Sequence, residues 1–217
     1  MTDQPKRPRV LLADDHQIVA EGLKSLLAAD FELVGVVADG RALLEAARKL
    51  KPDVIVADIA MPQLNGIDAL VQLRKQDPKV KVIFLTMHQE ANYARKALEA
   101  GALGFVLKHS APAELVTAIR AALEGKTYLT PSITRDVLQS MNRHSDTTRD
   151  SSTPITPRQR EILQLLAEGR SAKEIGSMLS ISTRTVEFHK YQMMETLDLH
   201  TNAELVRFAI KQGIVAI

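Results

Sequence analysis

The sequence predicts two domains of different class, an α/β domain built on a parallel sheet and a small all-helical domain after it. The chain has 217 residues, 45% apolar and 25% charged, a composition that is ordinary for globular domains. Up to about residue 124, short apolar runs alternate with amphipathic helical stretches, which is typical of βαβ units. From Thr156 onward, the apolar residues recur only at helical spacing.

Five apolar runs in the first domain have the length and composition of buried strands, and each is followed by a helical segment. We expect a five-stranded parallel sheet in the flavodoxin-like order 2-1-3-4-5, with helices on both faces. The predicted strands cover residues 9–13, 33–37, 54–57, 81–85 and 103–107, and the predicted helices cover 16–29, 41–50, 67–75, 92–100 and 112–124.

Polar side chains follow four of these strands at their C-terminal ends. Asp14 and Asp15 follow the first strand and Asp58 the third, while Thr86 and Lys108 end the fourth and fifth. Taken alone, Asp14 or Asp15 could equally cap the next helix, and Asp58 could open a turn. Because the carboxyl ends of parallel strands meet at one edge of the sheet, we expect all five to converge.

Such a cluster has a specific chemistry. Three carboxylates repel one another and call for a divalent cation, and an all-oxygen site suits Mg²⁺. A carboxylate held against that ion can attack a phosphoryl group and form an acyl phosphate. The hydroxyl of Thr86 and the ammonium of Lys108 would neutralise charge on the transferred group.

Residues 8–124 resemble a two-component receiver domain. The resemblance lies in Asp-Asp after the first strand, Asp-Ile-Ala-Met-Pro…Gly after the third, Thr after the fourth and Lys after the fifth. It implies that Asp58 accepts a phosphoryl group from a histidine kinase, and that Thr86 and Lys108 sense and bind the phosphoryl oxygens. The implied Mg²⁺ ligands are Asp14, Asp15, Asp58 and the backbone carbonyl of Ala60.

The same resemblance implies a switch residue. Phe105, three residues before Lys108, holds the position of an aromatic side chain that swings inward when Thr86 moves. It has no hydroxyl to bond at either end of that swing, so simple core packing is an equally good interpretation. Ala60 and His88 hold the positions that tune the lifetime of the phosphoryl group in that family.

Composition changes after Leu138. Residues 139–154 contain almost nothing apolar, which favours a flexible linker, and residues 131–138 are predicted to form a short helix. We therefore divide the chain into a domain at 8–126, a linker with a short helix at 127–154, and a second domain at 155–217.

Four helices are predicted in the second domain. Thr156 with Pro157 and Gln159 is an N-terminal capping pattern, and Ser171 and Asn202 are further caps. Two short helices, a tight turn and a third helix from about Thr183 make a helix-turn-helix pattern. Small helical bundles that do not touch DNA have the same pattern.

Three segments resemble the LuxR-type DNA-binding domain over residues 155–215: Thr-Pro-Arg-Gln-Arg-Glu-Ile-Leu, Lys-Glu-Ile, and Ser-Thr-Arg-Thr-Val-Glu-Phe-His. The order receiver, linker, LuxR-type domain is that of NarL/FixJ-type response regulators, and it implies that the helix from Thr183 enters the major groove of double-stranded DNA. The candidate base contacts are Glu187, Phe188 and Tyr191, and the candidate phosphate contacts are Thr183, Arg184, Thr185 and Lys190. His189 matches a structural position.

The charge of the second domain departs from expectation. Residues 155–217 carry eight basic and seven acidic side chains, a net +1, which is a weak electrostatic footprint for DNA binding. Glu195 and Thr196 stand where the family often has basic residues. We expect weak DNA binding by this domain alone, and a larger role for a homodimer formed on phosphorylation.

Three functions compete. The first is a phosphorylation-switched transcription factor, which is not a dedicated enzyme although it can dephosphorylate itself. A Mg²⁺-dependent phosphohydrolase is disfavoured, because haloacid-dehalogenase-type enzymes carry Asp-x-Asp after the first strand, whereas Asp58 follows the third. A phospho-switched protein-interaction module with weak or no specific DNA binding is the remaining alternative, motivated by the near-neutral second domain.

Other classes are excluded by absences in the sequence. The chain has no cysteine, so it forms no disulfide or thiolate metal site. Residues 1–8 lack the apolar core of a signal peptide, and no apolar run approaches membrane-spanning length. We expect a cytoplasmic protein with no membrane partner.

Overall fold

The computed structural model describes residues 7–145 and 154–215. A parallel sheet in the order β2-β1-β3-β4-β5-β6 organises the first domain, so the predicted order is confirmed and extended by one strand. The expected number of five strands was too low, because a two-residue strand carries no detectable periodicity. The strands are β1 (Arg9–Ala13), β2 (Glu32–Val37), β3 (Val54–Ala57), β4 (Val82–Thr86), β5 (Gly104–Leu107) and β6 (Tyr128–Leu129).

Two apolar layers cover the sheet. Successive strand residues alternate between them, with Val10 and Leu12 in one layer and Leu11 and Ala13 in the other. The first layer is completed by α1 (Gln17–Leu27) and α5 (Ala111–Leu123), and the second by α2 (Gly40–Leu50), α3 (Gly66–Gln76) and α4 (Ala91–Glu99).

A further helix follows β6 within the segment assigned to the linker. This helix, α6 (Pro131–Ser145), is 15 residues long, so the flexible linker expected from residue 139 is helical up to Ser145. Ile133 and Val137, one turn apart, are buried in the second apolar layer. That i, i+4 pair attaches the helix to the first domain despite its polar composition. Residues 146–153 of the predicted linker lie outside the described residues.

The second domain is a four-helix unit, as predicted. Its helices are α7 (Pro157–Ala167), α8 (Ala172–Leu179), α9 (Thr183–Thr196) and α10 (Asn202–Lys211). Capping boxes at Thr156, Ser171 and Thr201 begin α7, α8 and α10, so the last cap lies one residue before the predicted Asn202. Ile162, Leu205 and the other buried apolar residues of the four helices form a separate core. Across the described ranges, no helix combines the length and apolar character that crossing a membrane requires.

Candidate functional site

The carboxylates predicted to converge lie together at the C-terminal edge of the sheet. Asp14 and Asp58 directly follow the neighbouring strands β1 and β3, and each is only 3% exposed. The Asp58 N–H donates to Ala13 O at 2.8 Å, which fixes the end of β3 against β1. Gly66 closes the loop beneath them, since a Cβ there would lie 2.3 Å from Asp58 O. The backbone therefore holds the two carboxylates in place.

Lys108 binds both carboxylates. Its Nζ lies 2.7 Å from Asp58 Oδ2 and 2.8 Å from Asp14 Oδ2. Burial acts to lower the pKa of the Lys108 ammonium, but the adjacent carboxylates of Asp14 and Asp58 outweigh it and raise the pKa above its ordinary value. Lys108 is therefore a fixed positive charge at this edge of the sheet.

The acidic cluster is larger than the sequence analysis expected. Asp14, Asp15, His16 and Asp58 each place a possible ligand atom within 4.8 Å of the others. His16 Nδ1 lies 2.9 Å from Asp15 Oδ1. His16 is not among the ligands predicted from the sequence; its position directly after Asp-Asp was the available signal. Asp14 Oδ2, although close to Lys108, accepts no well-directed hydrogen bond.

Thr86 and Phe105 occupy the next two strands. Thr86 is fully buried at the end of β4, and its Oγ1 accepts a hydrogen bond from the His88 N–H at 3.2 Å. Phe105 is also fully buried, beside Phe84 of the neighbouring strand. Ala60 donates its N–H to Asp58 Oδ1 at 3.2 Å. The structure thus brings Asp58, Lys108 and the acidic cluster into contact, with Thr86 at the end of the next strand.

The helix predicted to contact DNA presents four of its candidate residues, Thr183, Arg184, Phe188 and Tyr191, to solvent, whereas Thr185, Glu187 and Lys190 are half-buried. Phe188 and Tyr191 are 61% and 64% exposed, which is unusual for large apolar side chains. Arg184 and Thr183 are exposed in the first turn, whose N-cap Ser182 accepts from the Thr185 N–H. Lys190 Nζ lies 3.7 Å from Glu187 Oε2 and 5.6 Å from the Tyr191 ring centroid. His189 is half-buried, as expected of a structural position.

The two domains are docked through the loop that follows Asp58. Gln164 of α7 is 1% exposed, donates to Met61 O at 2.9 Å and accepts from the Asn65 N–H at 2.7 Å. Glu168 accepts from the Gln63 N–H at 2.9 Å. Ion pairs Arg160–Asp68 and Arg41–Glu161 border this contact. Nothing in the local sequence of α7 distinguished these residues from solvent-facing ones.

Comparisons with known sequences match both domains. A family model for the response regulator receiver domain matches residues 10–120, and one for bacterial regulatory proteins of the luxR family matches residues 153–209. The transcriptional regulatory protein MctR of Rhizobium johnstonii is 37% identical over 100% of this chain and 99% of that protein. The oxygen regulatory protein NreC of Staphylococcus haemolyticus is 33% identical over 95% of this chain and 99% of that protein.

Among solved structures, one is similar over nearly the whole chain and another over part of it. RcsB of Salmonella enterica serovar Typhimurium, bound to a promoter in the presence of the phosphomimetic BeF₃⁻, has a TM-score of 0.61 and 27% identity, covering 97% of this chain and 100% of that one. A LuxR-family response regulator from Aurantimonas sp. SI85-9A1 has a TM-score of 0.60 and 37% identity, covering 63% of this chain and 99% of that one. The chain belongs to the two-component response regulators that join a receiver domain to a LuxR-type DNA-binding domain.

Proposed function

We propose that Asp58 is the phosphoacceptor of this response regulator and that its phosphorylation controls DNA binding by α9. The observation that carries the proposal is that the ammonium of Lys108 contacts two buried carboxylates, Asp58 and Asp14, at the C-terminal edge of a parallel sheet. A histidine kinase is the proposed donor.

The acidic cluster fits a magnesium ion. Its carboxylates supply the oxygen donors that Mg²⁺ prefers, and Asp14 Oδ2 has a lone pair that no well-directed hydrogen bond uses. Asp14, Asp15, Asp58 and the Ala60 carbonyl would hold the ion. When bound, it would supply positive charge that offsets the carboxylates and the phosphoryl oxygens.

The residues of this chain have separate roles in the transfer. An Asp58 oxygen attacks phosphorus, an O–P bond forms as the P–N bond to the donor histidine breaks, and the leaving imidazole takes up a proton. Lys108, already charged and 2.7 Å from Asp58, stabilises the added negative charge. Thr86 would turn its hydroxyl toward a phosphoryl oxygen. These are the groups of a stoichiometric acceptor, not of a dedicated enzyme.

The second domain would bind double-stranded DNA in the cytoplasm as a homodimer formed on phosphorylation. Phe188 and Tyr191 are exposed on α9, where a thymine methyl and base edges can be contacted. Arg184 is exposed in the first turn of the same helix, and it would hold a phosphate. A two-fold dimer would double these contacts and compensate for the low charge of one domain.

Selection of genomic DNA fragments by the full-length protein tests this function. Samples with and without Mg²⁺ and BeF₃⁻ are compared with Asp58→Ala under the same conditions. We expect a few palindromic sites to be enriched only with the mimic, and the enrichment to disappear in Asp58→Ala. Equal enrichment in every sample would remove Asp58 from the control of binding, and no enrichment by folded protein would favour the interaction module.

A further inference from the structure

The DNA-binding domain contacts the receiver at two places, each next in the chain to a residue of the proposed phosphoryl site. One contact is the bonding of Gln164 to the loop after Asp58. The other lies at α4, which follows the loop after Thr86. A series of contacts joins the second contact to Thr86, whereas the first consists of direct hydrogen bonds to the loop.

The connection starts at the Thr86 hydroxyl. Thr86 Oγ1 accepts the His88 N–H at 3.2 Å, so the hydroxyl holds the start of the loop to α4. The His88 ring stacks on Tyr93 of α4, with ring centroids 4.3 Å apart and an interplanar angle of 19°. The orientation of the Tyr93 ring therefore depends on where Thr86 holds His88.

The connection ends at the DNA-binding domain. Gly213 lies directly against Tyr93, because a Cβ at Gly213 would be 2.7 Å from the Tyr93 hydroxyl oxygen and from its ring edge. Its φ of +67° also favours glycine. One turn further along α4, Lys96 Nζ donates to Gln212 O at 2.9 Å. The end of the DNA-binding domain is thus seated on two adjacent turns of α4.

We propose that Tyr93, stacked on His88, is the positioning residue that couples Thr86 to the docking of the DNA-binding domain. This inference rests on the proposed phosphorylation of Asp58. Phe105, the residue expected to switch, is sealed in the core and has no hydroxyl, whereas Tyr93 contacts the other domain directly.

The proposed coupling begins with the loss of one hydrogen bond. When the Thr86 hydroxyl turns to a phosphoryl oxygen, the His88 N–H loses its acceptor and the loop must rearrange to pair it again. The His88 ring then leaves Tyr93, and Tyr93 no longer fits against Gly213. Coupling between two sites is reciprocal, so a domain held in its docked position must weaken binding at the phosphoryl site.

A covalent link can hold the domains docked. Arg41 and Glu161 form an ion pair between the domains that is separate from the Thr86 contacts. Because the chain has no cysteine, a short bis-maleimide can join Arg41→Cys to Glu161→Cys. The measurement is the affinity for BeF₃⁻ with Mg²⁺, read from the ¹⁹F NMR signal of bound fluoride. The double-cysteine protein is the unaltered background. It and its Tyr93→Ala, Tyr93→Phe and Gln164→Ala variants are each measured before and after linking.

We expect linking to weaken BeF₃⁻ binding at least about fivefold in the unaltered background, and less than about twofold in Tyr93→Ala. Tyr93→Phe keeps the ring, and Gln164→Ala leaves every residue of the Tyr93 connection in place once the link holds the domains docked, so both should retain the full loss. Equal affinity before and after linking in the unaltered background, or recovery in Gln164→Ala as well, would overturn the coupling while leaving Asp58 as acceptor. Absence of binding by the unlinked protein would overturn both proposals.

Discussion

The DNA-binding domain has two faces of opposite character, one turned to the receiver and one turned to solvent. On the docked face, the polar side chains Glu161 and Gln164 are 7% and 1% exposed. On the α9 face, the apolar side chains Phe188 and Tyr191 are more than 60% exposed. Each face inverts the usual distribution of polar and apolar residues, and each does so where a partner is needed.

The two faces specify their contacts in different ways. Buried polar groups must be matched one by one, so the docked face admits a single register on the loop that follows Asp58. The apolar face is not covered by the receiver, so docking leaves Phe188 and Tyr191 open. We therefore expect phosphorylation to act on the arrangement of domains and protomers rather than on the exposure of these side chains.

The largest effect is expected from Gln164→Leu. The change removes the partners of Met61 O and the Asn65 N–H, and each buried unpaired group costs about 1–3 kcal/mol. Docking should be lost without any phosphoryl mimic. Fluorescence energy transfer between dyes on Lys49→Cys and His200→Cys, both exposed sites, measures the separation of the domains.

Gln139→Leu is the matched control, because Gln139 is exposed on α6. It should leave the energy transfer unchanged. If Gln164→Leu also left it unchanged, the polar character of the docked face would have no role in holding the domains together.

The sequence indicated the α9 face and the acidic site of the receiver, but it concealed the docked face. Asp58, Thr86 and Lys108 were predictable because each follows a local apolar run, and a parallel sheet aligns the ends of its strands. Gln164 was not predictable, because its partners Asn65 and Met61 lie 99 and 103 residues away. His16 is an intermediate case. The adjacent carboxylates were predicted to be metal ligands, but whether the His16 ring joins them depends on the direction of its side chain, which the sequence does not give.

On the apolar face, Phe188→Ala should alter sequence preference. Loss of a base contact costs about 1–3 kcal/mol and relaxes discrimination at the contacted position only. Binding to a set of operators, each changed at one base pair, measures this. Leu138→Ala is the control, since Leu138 is an exposed apolar residue on α6. Equal weakening on every operator would mean that Phe188 does not contact a base.

Arg184→Ala should instead weaken all operators to a similar extent. A phosphate contact releases counterions, so its removal should reduce the slope of log affinity against log salt by about 1. Arg135→Ala is the matched control, because it removes one positive charge from an exposed position on α6. A change in operator preference without a change in slope would reassign Arg184 to base contact.

The smallest effect is expected at the edge of the docked face, in the Arg160–Asp68 ion pair. Arg160 Nε lies 2.9 Å from Asp68 Oδ1, and the two side chains are 20% and 16% exposed. A partly exposed pair contributes about 1 kcal/mol or less. Burial, Arg160 and Arg95 lower the pKa of Lys96 whereas Asp68 raises it, so Asp68→Arg also removes a carboxylate that stabilises the nearby Lys96 ammonium. Asp68→Arg should therefore reduce energy transfer slightly, Asp68→Arg with Arg160→Asp should restore it, and both differences should shrink in high salt. A loss as large as that of Gln164→Leu would show that charge, rather than the matched buried amide, sets the register of docking.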